Sequence, residues 1–583
     1  MDIYSKIPSE VKNGRRNDPI GSLIARINIM KLSSSIPTLL VASACLLAQP
    51  NIRDVRNAAG NLNPGLPGYG IAPGSLISIA GSTSSDAQSA SFPLTTSLNG
   101  VSVKISAGGQ DVDALMVSIT SSRILALVPS QTPKGTGTVK VTDANGTSSA
   151  PIIIVDRNFG IFTQKSTSTS AGAAFAVNLS DGGNTSNTLT TPAMPGQQIV
   201  ILGSGAGPTT QDETNAVSDE SLSGDFALYI GGQLATITST GRSGLGVDAL
   251  GLTAGLAGVD SIVAMVPAGV AGCRVSVVAV TSGKLASNFA TISVSPDGST
   301  CSDPGFISAD DINNLPASGT YNVGVISMTR FTISFTQPPL GTIDINSDSA
   351  VTSYQQVDVN DFRSTLGGSY TSMGSCVVYF TTADGSGLDN AVVPKLLDAG
   401  SAITLKGPKA TVVMNRTGAG EYAPASATGS NSPLFPPQGT PFVDPGAFDA
   451  NNGGGGADVK GFTANLTNPT PLTWTNQAKI TDVTRTDGVT VTWTGGASDG
   501  AVIISGASSG AGKVSAGFAC TAPASAGTFI VPPAVTLSLP ASTANNGGIL
   551  ILFTTASSKF TAQGLDQGLF TSSSGSAKNL NYR

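Results

Sequence analysis

The sequence predicts an all-β protein built of consecutive β-sandwiches, and three observations carry that prediction. First, the 583 residues include 70 Gly and 34 Pro, with only 11% charged and 5% aromatic residues. A chain dominated by Gly, Ala, Ser, Thr and β-branched residues reads as many strands joined by tight turns. Second, apolar residues alternate with polar ones or come in short runs. In "GTVKVT", Val139 and Val141 face one way while Lys140 and Thr142 face the other. Third, a stretch of roughly 110 to 140 residues occurs twice. "APGSLISIAGS" (72–82) aligns with "MPGQQIVILGS" (194–204), and "ILALVPSQTPKGTGTVKVT" (124–142) with "IVAMVPAGVAGCRVSVVAV" (262–280). Neither copy holds ten residues of helical spacing, and turn-separated strands without helices mean sandwiches.

The chain starts with residues that do not fit this pattern. Residues 1–29 are polar, carry Arg15, Arg16 and Arg26, and read as a non-native or disordered leader. Residues 30–48 read as a signal peptide: Lys31 is its positive end and Ile36 to Leu47 its apolar segment, with small residues for cleavage after Ala44 or Ala48. That segment is shorter than the roughly 20 residues a membrane span needs. "ASAC" (42–45) resembles a lipoprotein box, with Ala42 where Leu is usual, so lipidation at Cys45 is the lesser reading. No second hydrophobic span follows. The mature chain is therefore expected to be secreted or at the cell surface, with the periplasm left open, and to have no transmembrane span.

The copies occupy residues 50–158 and 159–298. "IVILGSGAGP" (199–208), inside the second, resembles the glycine turn of a dinucleotide-binding strand. Such a site needs a helix after the turn to hold the pyrophosphate. Here "PTTQDETNAVSDESLSG" comes next, with no apolar face, and the first copy keeps only Gly81-Ser82. No nucleotide partner is expected. An acidic pI near 4.8, without a basic run in the body of the chain, also argues against nucleic acid.

The motifs "NAAGNLNPGLPGYGIAPGSLISIAGS", "FPLTTSLNGVSVKI", "GIFT" (160–163) and "PGQQIVILGSGAGP" carry a resemblance. In their order they resemble the duplicated module of secreted acidobacterial (Solibacter-type) proteins, which is similar to the TIG/IPT branch of immunoglobulin-like domains. The resemblance covers residues 52–298 and implies two tandem immunoglobulin-like (TIG/IPT-like) sandwiches. The family's longer turn near residue 82 is missing here, which leaves the fold expectation intact. The resemblance implies no catalytic residues.

Residues 299–583 form a larger all-β C-terminal domain of sandwich type, as one unit or two subdomains. "LDAGSAITLKGP" (397–408) and "GGADVKGFTANLTNPTPLTWTN" (455–476) resemble the uncharacterised C-terminal region that accompanies the same modules. Cys273, Cys301, Cys376 and Cys520 remain after export, and an even number there suggests two disulfides in one of three pairings. Cys273 and Cys301 flank the last hairpin of the second copy. We expect Cys273–Cys301, and Cys376–Cys520 as a tie between two distant strands.

Four features of this region invite chemistry. "GASDG" (496–500) and "GASSG" (506–510) fit the G-x-S-x-G nucleophile turn. The chain contains no His, so Ser508 lacks a triad base. Trp474 and Trp493 could stack on sugars, but Leu472 shares a strand face with the first, and Val489 and Val491 with the second, which favours the core. Asp449, Asn451, Asn452 and Asp458 in "DANNGGGGADVKG" (449–461) are weak Ca²⁺ ligand candidates on a flexible loop, in a spacing that matches no calcium motif. Asp358 and Asp361 are the candidates for a glycosidase pair, without supporting context. No other cofactor is implied.

The leading expectation is an exported, non-enzymatic β-sandwich protein with an adhesive or structural role, its partners being cell-surface or polysaccharide material. An extracellular carbohydrate-binding protein is the alternative, and an Asp-dependent glycoside hydrolase a further one.

Overall fold

A computed structural model describes residues 49–583 apart from 165–170, 338, 340, 367–369, 383–393, 431–437, 498–499, 511–513 and 543–546. The leader, the signal segment, Cys45 and Ser498 of the first G-x-S-x-G match lie outside the described residues.

Residues 51–154 form two sheets. One runs Asn51–Asn57, Leu76–Ser82, Arg123–Leu127, Leu115–Thr120, Gln88–Ser89; the other runs Gly146–Ile154, Gly135–Asp143, Val101–Ala107, Ser97–Leu98. Alternation decides their inner faces. Val101, Val103 and Ile105 are buried and the residues between them partly exposed. They meet Ile77, Ile79, Ile124, Val139 and Val141 in one core.

Residues 160–294 repeat the central pairing. In the first copy Leu76–Ser82 lies between Asn51–Asn57 and Arg123–Leu127. In the second, Gln198–Ser204 lies between Gly160–Ile161 and Asp260–Met265. Gly74 and Gly196 open these strands at φ +75° and +82°, a left-handed conformation that glycine adopts without strain. The "Pro-Gly" of each repeat is thus a turn into its central strand.

Residues 320–582 form a mixed ten-stranded sheet. Its main order is Cys376–Thr382, Val514–Pro523, Ala501–Ser509, Gly548–Phe560, Gln567–Tyr582, Thr320–Gln337, Gly341–Asp358, Lys395–Leu396. The 320–337 strand runs parallel to 567–582. Even-numbered residues of these strands face inward. Ile326, Met328, Tyr354 and Phe570 pack against a five-stranded sheet spanning 402–468. Val502, Ile504, Phe518 and Leu550 pack against the small sheet of Thr473–Trp474, Val489–Thr494 and Thr528–Val531.

Apolar cores run across the junctions. Leu76, Leu115 and Leu127 of the first copy pack with Phe162, Val200, Leu202 and Val259 of the second. Val278, Val280 and Phe289 of the second belong to the core that holds Trp474, Trp493 and Phe518. The described chain from residue 49 on belongs to one compact unit, so the copies are not beads on a flexible string.

Cys273 is bonded to Cys301, and Cys376 to Cys520. The second pair is distant only in sequence. Cys376 and Cys520 face each other in register on neighbouring antiparallel strands, so this bond staples adjacent strands rather than remote ones.

Candidate functional site

The glycine turn of the second copy grips an internal anion. Asp260 Oδ2 accepts the N–H groups of Gly205 and Ala206, both at 2.7 Å. Its other oxygen accepts from Arg242 Nη1. The Arg242 guanidinium also donates to Gly74 O (2.9 Å) and Gly207 O (2.6 Å), and both side chains are fully buried. The amides that a phosphate would need are therefore taken by a carboxylate. Gly205, at φ +109°, also lies against Asn158, whose carbonyl oxygen a Cβ would meet at 2.1 Å. Burial pushes the Asp260 carboxyl up to about 6, while Arg242 and the two amides pull it down. Because Gly74 belongs to the first copy, this cluster ties the two copies together.

A second buried cluster ties the second copy to the C-terminal region. Asp303 Oδ2 accepts from Cys273 N (2.9 Å) and Ser372 Oγ (3.0 Å). Arg274 donates Nε to Tyr370 O (2.9 Å) and Nη2 to Ala171 O (3.1 Å). Burial raises the Asp303 carboxyl. The charged side chains of both clusters are buried and hydrogen-bonded, so both read as structural.

The residues singled out in the sequence fall in several places. Trp474 and Trp493 sit opposite each other in register, 8% and 2% exposed. Each indole N–H is satisfied, to Asn476 Oδ1 and Ala524 O respectively, both at 2.9 Å. They are core residues. Ser508 is buried in a strand and its hydroxyl meets Ser542 Oγ at 3.1 Å, far from the exposed elbow a nucleophile requires. Asp358 caps a short helix, Val359–Thr365, accepting from Asn360 N (2.8 Å) and Asp361 N (3.3 Å). That is a capping role rather than an acid–base one.

Each of the four Ca²⁺ candidates has its own surroundings. Asp449 is exposed on the Gly446–Asn451 strand, opposite Lys406 and Asn465. Asn451 accepts only a long contact from Gly453 N (3.4 Å). Asn452 is buried, donating to Ala399 O (2.9 Å) and accepting from Phe462 N (2.7 Å). Asp458 accepts from Asp398 N (2.8 Å). Among the described residues, no group of three or more His, Cys, Asp or Glu side chains is placed to hold a metal ion.

What the glycine-rich loop does build is one wall of a cleft. The loop folds back on 398–400: Asp458 N and Val459 N donate to Asp398 O at 3.1 and 2.9 Å. A Cβ on Gly456 would meet Gly400 N at 2.4 Å and Asp398 O at 2.5 Å, so only glycine permits this approach. The resulting cleft is shallow and wide open to solvent, about 620 Å³, and is lined by Asp398, Gly400, Ser401, Arg416, Thr417, Gly418, Gly455 and Gly456. Arg416 donates Nη1 to Asp398 Oδ2 (3.0 Å) and Nε to Gly418 O (2.8 Å), which fixes the guanidinium plane. Tyr422 braces the floor, its hydroxyl accepting from Ala399 N (2.9 Å) and donating to Gly400 O (3.1 Å). The Gly400 N–H, helped by Ala457 N–H and Arg416, holds the Asp398 carboxyl below the usual carboxylate range. A general acid needs the opposite shift. The cleft offers fixed donors and acceptors, which suits recognition.

No protein-family model and no curated protein matches the chain. Solved structures with loose similarity include SGBP-B of the Bacteroides ovatus mixed-linkage glucan utilization locus, in complex with a mixed-linkage heptasaccharide. It is 13% identical over 51% of this chain and 67% of that one, with a TM-score of 0.18. SGBP-B from a complex xyloglucan utilization locus in Bacteroides uniformis is 12% identical, covering 65% and 86%, with a TM-score of 0.13. A titin fragment is 10% identical, covering 72% and 99%, with a TM-score of 0.12. Overlaps this loose say nothing of ligand. The described residues contain no helix long and apolar enough to cross a membrane.

Proposed function

We propose that this chain is an exported, non-catalytic β-sandwich protein of the cell surface or extracellular space, and that it holds polysaccharide in the 398–456 cleft. The cleft carries the reading. A guanidinium fork and a carboxylate lie side by side, with the Ser401 and Thr417 hydroxyls and glycine backbone around them. That set matches vicinal sugar hydroxyls, each both donor and acceptor. The floor is glycine and the Arg416 plane is already fixed, so little ordering remains to be done on binding. Adhesion follows where the polysaccharide belongs to a cell surface.

Affinity electrophoresis of the full mature chain through gels containing neutral or acidic polysaccharides tests this. At least one polysaccharide should retard the chain, and Arg416→Ala should weaken that binding roughly tenfold to a hundredfold, the loss of charge-assisted hydrogen bonds. Unchanged mobility in every gel, or undiminished retardation of the variant, overturns the reading. For export, N-terminal sequencing of secreted material should start between Cys45 and Pro50; a chain that keeps Asp2 or Tyr4 contradicts it.

A further inference from the structure

Among the described residues, the ten-stranded sheet has one covered face and one largely open face, touched at its 557 end by Gly305, whose carbonyl accepts from Ser557 Oγ. Along 548–560, 567–582 and 501–509, buried and partly exposed residues alternate. The even positions form the cores already described. The odd positions point the other way, and over five central strands they carry no charge. They are Ala, Ile and Ser on 501–507, Ile, Phe and Thr on 549–555, Leu, Thr, Ser and Gly on 569–575, Val, Ser, Thr, Phe and Ile on 325–333, and Ile, Ser and Val on 345–353. Apart from Ala501, every one of these positions keeps partial or full exposure, Val351 reaching 50%. Lys559, the first charge beyond them on 548–560, is paired with Asp311 at the margin.

Register divides this face into two halves. One row reads Ser347, Phe331, Gly575, Phe553, Ile503, and the next Ile345, Ile333, Ala577, Ile551, Ser505, of which Ala577 is buried. Phe331 and Phe553 approach over Gly575, ring centroids 6.1 Å apart, where a Cβ would meet Phe553 Cδ1 at 2.6 Å. This half is a ridge. On the other side lie Ser349, Thr329, Ser573, Thr555, Ala501 and then Val351, Ser327, Thr571, Ser557. Those rows are a shelf of small side chains.

We infer that this face binds the same face of a second copy in a two-fold dimer. A two-fold axis near the boundary between ridge and shelf lays each copy's Phe331–Phe553 ridge on its partner's Ser/Thr shelf, the self-complementarity an isologous interface requires. Five strands about 4.8 Å apart and roughly 30 Å long present about 700 Å². A standard dimer buries about 800 Å² per partner, so a face of this size comes close to what a stable dimer needs. Absence of charge disfavours a polyanion or an anionic membrane, and sheet faces stack readily at about 10 Å. The inference is independent of the cleft.

Sedimentation equilibrium of the full mature chain at micromolar concentration should give twice the chain mass. Ser573→Arg, which places a guanidinium beneath the partner's ridge, should weaken the dimer at least tenfold, as should Val351→Arg at its already exposed position. Val413→Arg, on the five-stranded sheet, should leave it intact. Circular dichroism checks that the variants fold, and Val351→Arg decides should Ser573→Arg fail to. A monomeric parent chain, or dimers undiminished in Val351→Arg, overturns the inference. So does a monomer that uses this face on insoluble polysaccharide or zwitterionic vesicles.

Discussion

Removing both Cys376 and Cys520 as alanines should lower stability by about 5 kcal/mol, the upper value of the loop-entropy model for a bond of this span. The two residues are 144 positions apart. Between them the chain makes the whole five-stranded sheet with its cleft, and two strands of the small sheet. Without the bond, the unfolded chain regains the freedom of that entire loop, while the folded state keeps its strand pairing. Cys273–Cys301, spanning 28 residues, is worth about 3.6 kcal/mol on the same basis. Urea titrations of the two double variants against the oxidised parent should rank them in that order. An equal or reversed ranking would mean that strain or residual structure in the unfolded chain outweighs loop length. Both sulfurs of the longer bridge are buried, so reduction should await unfolding.

The elements that could be read from the sequence are those fixed by neighbours along the chain. Val139 and Val141 alternate with Lys140 and Thr142 in "GTVKVT", and the strand they form buries the valines. Trp474 and Trp493 shared faces with leucine and valines, and both are core. What could not be read depends on partners far away. The 320–337 strand pairs in parallel with 567–582, more than two hundred residues on, and no local pattern announces it. Asp398, Arg416 and Gly456 form the cleft from three separate strands and loops, so no spacing marks them. The glycines of 453–456 do stand out in the sequence, where they mark a candidate cation loop. Their use is to let the loop backbone touch 398–400, and they draw Asn452 and Asp458 into backbone hydrogen bonds. Asp358 looked like half of an acid pair because a helix of only seven residues leaves too little periodicity to reveal its cap.

Asp260→Ala should cost about 3–5 kcal/mol at neutral pH, because it leaves the Arg242 charge buried without its counter-ion. The guanidinium would keep only two carbonyls, Gly74 O and Gly207 O. The Gly205 and Ala206 N–H groups would lose their acceptor as well, a loss counted within that figure. Asn57, which donates to Ser204 O and Asn158 O, and Leu76 N, which donates to Ser204 Oγ, hang on the same turn. The damage should therefore centre on the junction between the two copies, and amide hydrogen exchange should speed up there first. Removing both charges, as Arg242→Met with Asp260→Ala, should cost less than Asp260→Ala alone, since no orphaned charge remains. Burial also sets the sign of the pH dependence. The Asp260 carboxyl is raised, so its contribution is complete below the unfolded carboxylate range near 4 and declines as pH rises through about 6. Urea titrations of both variants at pH 7 decide the matter. If Asp260→Ala is as stable as the parent there, the glycine turn is held by its strand pairing alone and the buried ion pair is dispensable.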